Sequence, residues 1–359
     1  MYTKDGESYF IVDAHVALWD ARPENQRNIH GKQFIDCFYD YHRNLSPESE
    51  VWSYEDYLYQ GGARLKKDLF DDGYVDHAIF QPAHLGEFYV GGFGQTEEAS
   101  QLAKADPARL TYNHHFDPRN GEQGLDQLRA DVERLGFTGV KLYTAEWHGE
   151  SRGWKLDDPW AYRYFEACRE LGVTKIHVHK GPTIRPLDRD AFDVADVDHV
   201  ASDFTDLTFI VEHVGLPRLE DFCWIATQEP NVHGGLAVAM PFIHTRPRYF
   251  AQILGELLYW VGEDRIHFSS DYAIWTPRWL VEKFVDFQIP EDMTEYAPLT
   301  TAQKKKKILG LNAAKLYGLD VPAELRLPDA DEPATGPRGA DDTAERAADT
   351  QGSGALAGV

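Results

Sequence analysis

The sequence lacks the features that would place a protein in a membrane, outside the cell or in an oxidised compartment. It contains no apolar run of about 18 residues, the length that a membrane-spanning helix requires. Its first ten residues, MYTKDGESYF, contain no apolar stretch typical of a signal peptide. The three cysteines, Cys37, Cys168 and Cys223, form no CxxC pair and are typical of reduced, mostly buried thiols. We therefore expect a cytoplasmic protein that makes no membrane contact.

Basic residues are also scarce. The 359 residues include 36 lysines and arginines against 59 aspartates and glutamates, which gives a formal net charge of -23. An acidic chain disfavours binding to the phosphate backbone of nucleic acids. Net charge says little about a local pocket, so an anionic small-molecule substrate stays open.

The chain does contain a regular alternation of short apolar runs and helical patterns. Eight runs are candidate strands: SYFIVDAHVA, VDHAIFQP, RLTYNHHF, TGVKLY, TKIHVH, LTFIVEHV, GGLAVAM and RIHFSSD. Helix-like stretches follow several of them: Gly121–Leu135, Pro159–Leu171, Arg248–Val261 and Thr301–Tyr317. Eight strands that alternate with helices predict an α/β protein with a (β/α)8 TIM-type barrel, and a doubly wound open sheet is the main alternative.

Residues 1–325 are predicted to form one barrel domain with a long insertion after the first strand, from about residue 19 to residue 67. The insertion is rich in aromatic residues, and a connection of this length is rarely passive. We expect it to pack over the barrel mouth and to shape a substrate pocket. Residues 326–359 contain few large apolar side chains, which predicts a disordered acidic tail without a catalytic role.

Polar residues gather at the predicted ends of the strands, where barrels place their functional groups. They are His15, His114, His115, Lys141, Tyr143, Glu146, His177, His179, Glu212, His213 and Asp271. Unpartnered buried imidazoles and carboxylates cost roughly several kcal/mol each, and a divalent metal would satisfy many of them together. The sequence therefore predicts a metal centre with nitrogen and oxygen ligands, which suits Fe, Mn, Zn, Co or Ni.

Two strands differ in how they supply histidines. Asp13, His15 and Ala17 share one face of the first strand, and Ala17 occupies a ligand position that it cannot serve. His177 and His179 share one face of the fifth strand. Either one ligand has moved from the first strand to the fifth, or His177 packs one layer below the site.

Other candidates carry open alternatives. Lys141 could be carbamylated and bridge two metals, bind a substrate anion or pair with a carboxylate. Glu146 is either a carboxylate ligand or an exposed loop residue. His213 is a candidate ligand or general base, and its neighbour Glu212 would point to the opposite face of a regular strand.

A basic stretch, HKGPTIRPLDR, follows the fifth strand. Lys180 and Arg185 there are candidate substrate-binding residues for a phosphate or carboxylate. The alternative is that they form surface ion pairs with nearby aspartates.

The motifs DAHVALWD, GFTGVKLY, IHVHKG, FIVEHVG, HFSSDYAIW and ILGLNAAKLYGL resemble the amidohydrolase-related barrel family of hydrolases and metal-dependent decarboxylases. The likeness runs from about residue 9 to residue 320. It implies metal binding by His15, His179 and Asp271, with His213 as ligand or catalytic base. The chain departs from the family at Ala17, where a second first-strand histidine is usual.

The chain also resembles a smaller branch, the barrel-fold non-haem diiron monooxygenases of platensimycin and platencin biosynthesis. This resemblance implies two iron ions, dioxygen as co-substrate and an unidentified electron donor. The substrate would be a bulky apolar acyl group, carried as a CoA thioester, that is hydroxylated at a C–H bond. Our leading hypothesis from the sequence is such a secondary-metabolism monooxygenase. Its metal ligands would be His15, His177, His179, His213, Asp271 and Glu146, and its catalytic residues His213, Lys141 and Tyr143.

The second hypothesis is a mononuclear Zn or Mn hydrolase or decarboxylase. There His213 would act as base or polarising group, and Asp271 would orient the metal-bound water. A non-catalytic accessory protein is a third class. The oligomeric state stays open, with a homodimer as the common outcome.

Overall fold

A computed structural model describes residues 1–296 and 301–327, and it contains the eight parallel strands of a barrel. We label them β1 to β8 in chain order: Val12–Val16, His77–Phe80, Leu110–Tyr112, Gly139–Leu142, Lys175–His179, Thr208–Glu212, Val232–Gly235 and Ile266–His267. One sheet has the order β1-β2-β3 and the other β8-β7-β6-β5-β4. Parallel bridges from His114 to Val140 and from Val16 to Tyr272 join the two sheets into a ring. The predicted (β/α)8 fold is confirmed.

A helix follows every barrel strand along the chain. In chain order these helices are Ile29–Leu45, Thr96–Ala105, Gly121–Leu135, Pro159–Glu170, Asp196–Asp203, Leu219–Gln228, Pro247–Trp260 and Pro277–Asp286. Shorter α-helices are Tyr54–Tyr57, Gly62–Leu65, Phe242–Thr245, Ala302–Lys306 and Asn312–Tyr317. The π-helical segments are Lys66–Asp71 and Lys307–Leu311. The 3-10 turns are Pro23–Asn25, Glu48–Glu50, Pro118–Asn120, Arg189–Phe192, His213–Gly215, Glu263–Arg265 and Ala323–Leu325.

The local sequence explains these elements. The barrel strands read as nearly continuous apolar runs because both faces of a parallel sheet are covered. The helix Gly121–Leu135 turns Leu125 and Leu128 to the core and ends at Gly136, whose φ of 69° suits glycine. One predicted strand is displaced: β7 ends at Gly235, and the backbone then turns so that the Met240 N–H donates to the Leu236 carbonyl. Residues 236–240 of the predicted run GGLAVAM therefore form a loop at the barrel mouth.

The insertion after β1 is an ordered layer. Its short strands Trp19–Asp20 and Tyr59–Gln60 pair antiparallel, and another antiparallel pair, Tyr2–Lys4 with Glu7–Tyr9, precedes the barrel. The barrel and insertion belong to one compact unit, Met1–Leu325. Most of the predicted disordered tail, residues 328–359, lies outside the described residues. Within the described part of the chain, every helix is too short or too polar to cross a membrane.

Candidate metal centre

A small enclosed cavity lies at the carboxyl ends of the barrel strands. Six strands, or the loops just after them, supply its polar lining residues: His15, Gln81, Lys141, Tyr143, His179, His213 and Asp271. Its apolar walls include Trp19, Phe38, Tyr41, Phe93, Ile184, Tyr272 and Ile274. The insertion supplies Trp19, Phe38 and Tyr41, so it covers the barrel mouth as its length and aromatic content predict. The free volume is about 40 Å³.

Three histidines and one aspartate form a connected cluster in this cavity. Nε2 of His15 lies 3.5 Å from Oδ1 of Asp271. Nδ1 of His213 lies 3.9 Å from the other oxygen of Asp271. Nε2 of His213 is 3.0 Å from Nδ1 of His179. The fold thus brings together four of the six side chains that the sequence predicts as metal ligands.

Several polar atoms of the cavity have no hydrogen-bond partner among the described residues. They are Nδ1 of His15, Nε2 of His179, Nδ1 of His213, Nζ of Lys141 and the hydroxyl of Tyr143. Burial lowers the pKa of His179 and of His213 well below the usual value, so both rings are neutral at neutral pH. A neutral imidazole with an unused nitrogen is the form that binds a metal ion.

The backbone around the cavity is strained at three non-glycine residues. His213, Val238 and Asp271 have φ values of 65°, 60° and 60°, a left-handed conformation that costs about 1–3 kcal/mol at each residue. All three line the cavity. Gly181 makes room beside this strained segment, because a Cβ there would lie 2.5 Å from the Cβ of His213.

Glu212 lies beneath the cavity and points into the barrel. Its two oxygens lie 3.1 Å from Nδ1 of His15 and 2.6 Å from Nδ1 of His177. Burial raises its pKa, but the two histidines and the charge of Lys141 outweigh burial and hold the pKa well below the usual value. With this carboxylate beside Nδ1, Nε2 of His15 faces Asp271, an arrangement typical of the outer partners of metal-binding histidines.

The strand is not regular at the point where Glu212 and His213 were expected to lie on opposite faces. His213 departs from the extended conformation, so both residues reach the interior. The strand register agrees with this direction. Glu212 pairs with His179 in the parallel ladder, so the two side chains lie on the same face of the sheet.

His177 does not line the cavity. Its Nδ1 is held by Glu212, and its Nε2 accepts a hydrogen bond of 2.7 Å from the Tyr317 hydroxyl. Tyr317 in turn accepts from the side-chain amide of Asn113 at 2.8 Å. With both ring nitrogens occupied by protein groups, His177 packs one layer below His179, which is the second alternative that the sequence left open.

Glu146 lies in a different place from the other predicted ligands. It lines a separate cleft of about 580 Å³ together with His84, His114 and His115. One oxygen of Glu146 accepts a hydrogen bond of 3.3 Å from the Gly86 N–H. Burial raises its pKa to about 7. The structure therefore does not bring Glu146 to the cavity of His15 and Asp271.

The two predicted substrate-binding residues also lie outside the cavity lining. Nζ of Lys180 is buried and forms an ion pair of 2.8 Å with Asp196. The Arg185 side chain is 67% exposed and lies 3.7 Å from a carboxylate oxygen of Asp40. Ion pairing with aspartates is therefore what both residues do in this structure.

The cavity residues suit a metal ion by their chemistry. Three imidazoles and one carboxylate, without a thiolate, match the ligands of Zn and Mn, and the unused nitrogens of His179 and His213 are atoms that a metal would satisfy. Within residues 1–296 and 301–327, however, no three His, Cys, Asp or Glu side chains are arranged as a metal-binding group. Metal binding therefore requires side-chain rotations that bring His15, His179 and Asp271 closer together.

Solved structures with the same fold are numerous. An uncharacterized TIM-barrel protein from Bordetella bronchiseptica is 18% identical, with a TM-score of 0.64 over 86% of this chain and 98% of its own. A 5-carboxyvanillate decarboxylase from Novosphingobium aromaticivorans, complexed with manganese and 4-hydroxy-3-methoxy-5-nitrobenzoic acid, is 16% identical, with a TM-score of 0.56 over 87% and 97%. A 2,6-dihydroxybenzoate decarboxylase from Rhizobium is 16% identical, with a TM-score of 0.54 over 88% and 100%. At these identities the likeness shows the fold.

The leading hypothesis from the sequence, a diiron monooxygenase, is wrong. The similar solved structures include two kinds of decarboxylase, one of them with bound manganese, and a probable 2-pyrone-4,6-dicarboxylic acid hydrolase, which match the second hypothesis instead. The structure also leaves His177 and Glu146 outside the cavity, so they supply no ligands there for a second iron. Oxidation by dioxygen, an electron donor and a CoA-linked acyl substrate have no support.

The sequence itself matches a family model. The model described as Amidohydrolase matches residues 12–319, from the start of β1 to just beyond the last α-helix, which is nearly the whole described barrel. No curated protein matches the chain. The resemblance that the strand motifs indicated is thus confirmed at the level of the family. The chain belongs to the amidohydrolase family.

Proposed function

We propose that this protein is a metal-dependent decarboxylase of a small aromatic carboxylic acid. The observation that carries the proposal is the meeting of His15, His179, His213 and Asp271 in one enclosed cavity with aromatic walls. The imidazoles and the carboxylate suit a divalent metal, and the walls suit a planar ring. Manganese and a substituted benzoic acid in a decarboxylase of the same fold support this assignment.

His15, His179 and Asp271 would hold the metal. When bound, the metal supplies a Lewis-acid charge that orients and polarises the substrate's oxygen atoms. His213 is not needed as a ligand, and its neutral ring can accept a hydrogen bond from a phenol. In the overall reaction the bond between ring carbon and carboxyl carbon breaks, carbon dioxide leaves, and the ring carbon gains one proton.

The helix Ile29–Leu45 and the loop after β5 form the roof of the cavity, and this roof must open for such a substrate to enter. The free volume of about 40 Å³ is only a few times the roughly 10–15 Å³ that one water molecule needs. The roof is fastened by a hydrogen bond of 3.2 Å from the Tyr41 hydroxyl to the Thr183 carbonyl. The ion pair between Arg185 and Asp40 connects the same two segments. Entry therefore requires the helix Ile29–Leu45 to separate from the loop after β5.

A direct test measures metal content and then turnover. The protein is stripped with a chelator, reloaded with Mn²⁺ or Zn²⁺, and incubated with hydroxylated benzoic acids that include 2,6-dihydroxybenzoate and 5-carboxyvanillate. We expect release of carbon dioxide that requires the metal and is lost in His179→Ala. Hydrolysis of an ester or lactone without decarboxylation of any acid would replace this proposal with a hydrolase. Full turnover after complete metal removal would exclude the metal's role.

A further inference from the structure

Three lysines of the described chain are buried, and two of them have evident protein partners. Lys180, Lys305 and Lys141 are 1%, 4% and 2% exposed. Nζ of Lys180 lies 2.8 Å from a carboxylate oxygen of Asp196, and Nζ of Lys305 donates to the Val285 carbonyl at 2.6 Å. Nζ of Lys141 has no hydrogen-bond partner among the described residues. A buried cation without a partner costs free energy, so a bound anion would stabilise Lys141.

The carboxylates near Lys141 form no ion pair or hydrogen bond with it among the described residues. Glu212 and Asp271 both act electrostatically on Lys141. One oxygen of Glu212 is hydrogen-bonded to His177, and the other lies 3.1 Å from Nδ1 of His15. The oxygens of Asp271 face His15 and His213. The positive charge of Lys141 is therefore left without a direct contact inside the protein.

Lys141 lines the same cavity as the candidate metal-binding residues. Tyr143 is two residues further along the chain, lines the same cavity, and has a hydroxyl that lacks a partner. A lysine ammonium and a tyrosine hydroxyl are hydrogen-bond donors that together can serve the two oxygens of a carboxylate. The surrounding apolar side chains exclude water, which strengthens an ion pair formed there.

We propose that Lys141 and Tyr143 bind a carboxylate of the substrate inside the catalytic cavity. The inference rests on the proposed function for the statement that the bound carboxylate belongs to the substrate. It makes Lys141 the residue that selects acids over their neutral analogues. It also gives a role to an ammonium group that would otherwise only destabilise the barrel.

Calorimetric titration of the full chain tests this inference without turnover. The probes are benzoate and acetate, each compared with its neutral amide, benzamide and acetamide. In Lys141→Met we expect the affinity for the carboxylates to fall about 10- to 100-fold, since hydrogen bonds to charged groups are the strong ones. Binding of the amides should change little. In Tyr143→Phe the loss should be smaller, about 2- to 10-fold.

Thermal unfolding supplies a second readout and a matched control. Lys141→Met should raise the melting temperature, because it replaces an unpaired buried charge with an apolar side chain of similar length. Lys180→Met should lower it, because Asp196 then loses its buried partner. A structural role for Lys141 predicts a fall in both variants, so a melting temperature that drops in Lys141→Met overturns the inference.

The outcomes separate this inference from the proposed function. Carboxylate binding that is unchanged in Lys141→Met but disappears after chelator treatment would assign the carboxylate to the metal and overturn the inference alone. Failure of either carboxylate to bind wild-type protein would also overturn it. Binding that depends on Lys141 in a protein that decarboxylates no acid would uphold the site and overturn only the reaction.

Discussion

The barrel holds two layers of polar side chains that differ in how their atoms are satisfied. His177 and His179 stand two residues apart on β5, and both are buried. Both nitrogens of His177 are engaged, by Glu212 and by Tyr317. His179 contacts His213 through one nitrogen, while its Nε2 has no partner among the described residues. Identical residues on one strand thus separate into a structural one and one that is available for a ligand.

Glu212 connects the two layers. One of its oxygens is hydrogen-bonded to His177 of the lower layer, and the other lies 3.1 Å from Nδ1 of His15 in the cavity. Gly235 of the neighbouring strand leaves space for this carboxylate, because a Cβ there would lie 2.4 Å from Oε2 of Glu212. The lower layer therefore serves the upper one by fixing the orientation of a candidate metal ligand.

Removal of the His179 ring should affect catalysis strongly. We expect His179→Ala to lower kcat/KM by at least about 10³-fold, equal to about 4 kcal/mol of transition-state stabilisation. Its free energy of unfolding should fall less than that of His177→Ala, because only one ring nitrogen of His179 has a hydrogen-bond partner among the described residues. Steady-state kinetics with a decarboxylated substrate and urea unfolding measure the two quantities. Retained activity in His179→Ala would place the catalytic centre elsewhere.

The complementary change in the lower layer should act on stability. His177→Ala leaves Glu212 with one partner fewer and the Tyr317 hydroxyl without its acceptor. We expect the free energy of unfolding to fall by about 3 kcal/mol, as when one member of a buried pair is removed. Metal content per folded molecule should stay at the wild-type level. If the metal were lost while stability was kept, His177 would belong to the centre.

A change at the connecting residue should weaken metal binding moderately. Glu212→Gln keeps the shape of the side chain but removes the charge that orients His15. Loss of an outer-shell carboxylate of this kind costs about 10- to 100-fold in metal affinity. Competition with a chromophoric chelator measures the affinity. The matched control is Ile210→Val, two residues earlier on the same strand, and it should leave the metal affinity unchanged.

The smallest expected effect concerns Glu146, which lies outside both layers. Burial raises its pKa from 4.5 to about 7 in the folded protein. The unfolded chain therefore loses this proton at lower pH than the folded protein does, and folding stability falls as pH rises from about 4.5 to 7. Glu146→Gln removes that loss.

The difference in free energy of unfolding between Glu146→Gln and wild type should grow in favour of the variant by about 1–2 kcal/mol between pH 5 and pH 8. This value is discounted because the Glu146 side chain borders an open cleft. Urea unfolding at the two pH values checks this growth. A constant difference between the two proteins would mean that Glu146 ionises normally in the folded state.

Sequence patterns were sufficient to predict the barrel and its helices. Apolar runs of strand length, separated by helical patterns, have few other ways to bury their surface. The predicted helix Gly121–Leu135 is observed with the same bounds, and Pro159–Leu171 ends one residue earlier. The end of the seventh strand could not be predicted. The apolar run continues to Met240, and nothing in it marks Gly235 as the last residue that pairs with β8.

The sequence by itself determined that histidines and an aspartate would end the strands of one barrel, because parallel strands bring their carboxyl ends to the same mouth. Only the tertiary structure decided which of them share a cavity. A strand pattern specifies the face of a side chain but not its depth, so it could not separate His179 from His177. It also could not anticipate the left-handed backbone at His213, through which Glu212 and His213 both reach the interior. Long-range partners such as Tyr317 and Asp196 settle the roles of His177 and Lys180, and those contacts exist only in the folded chain.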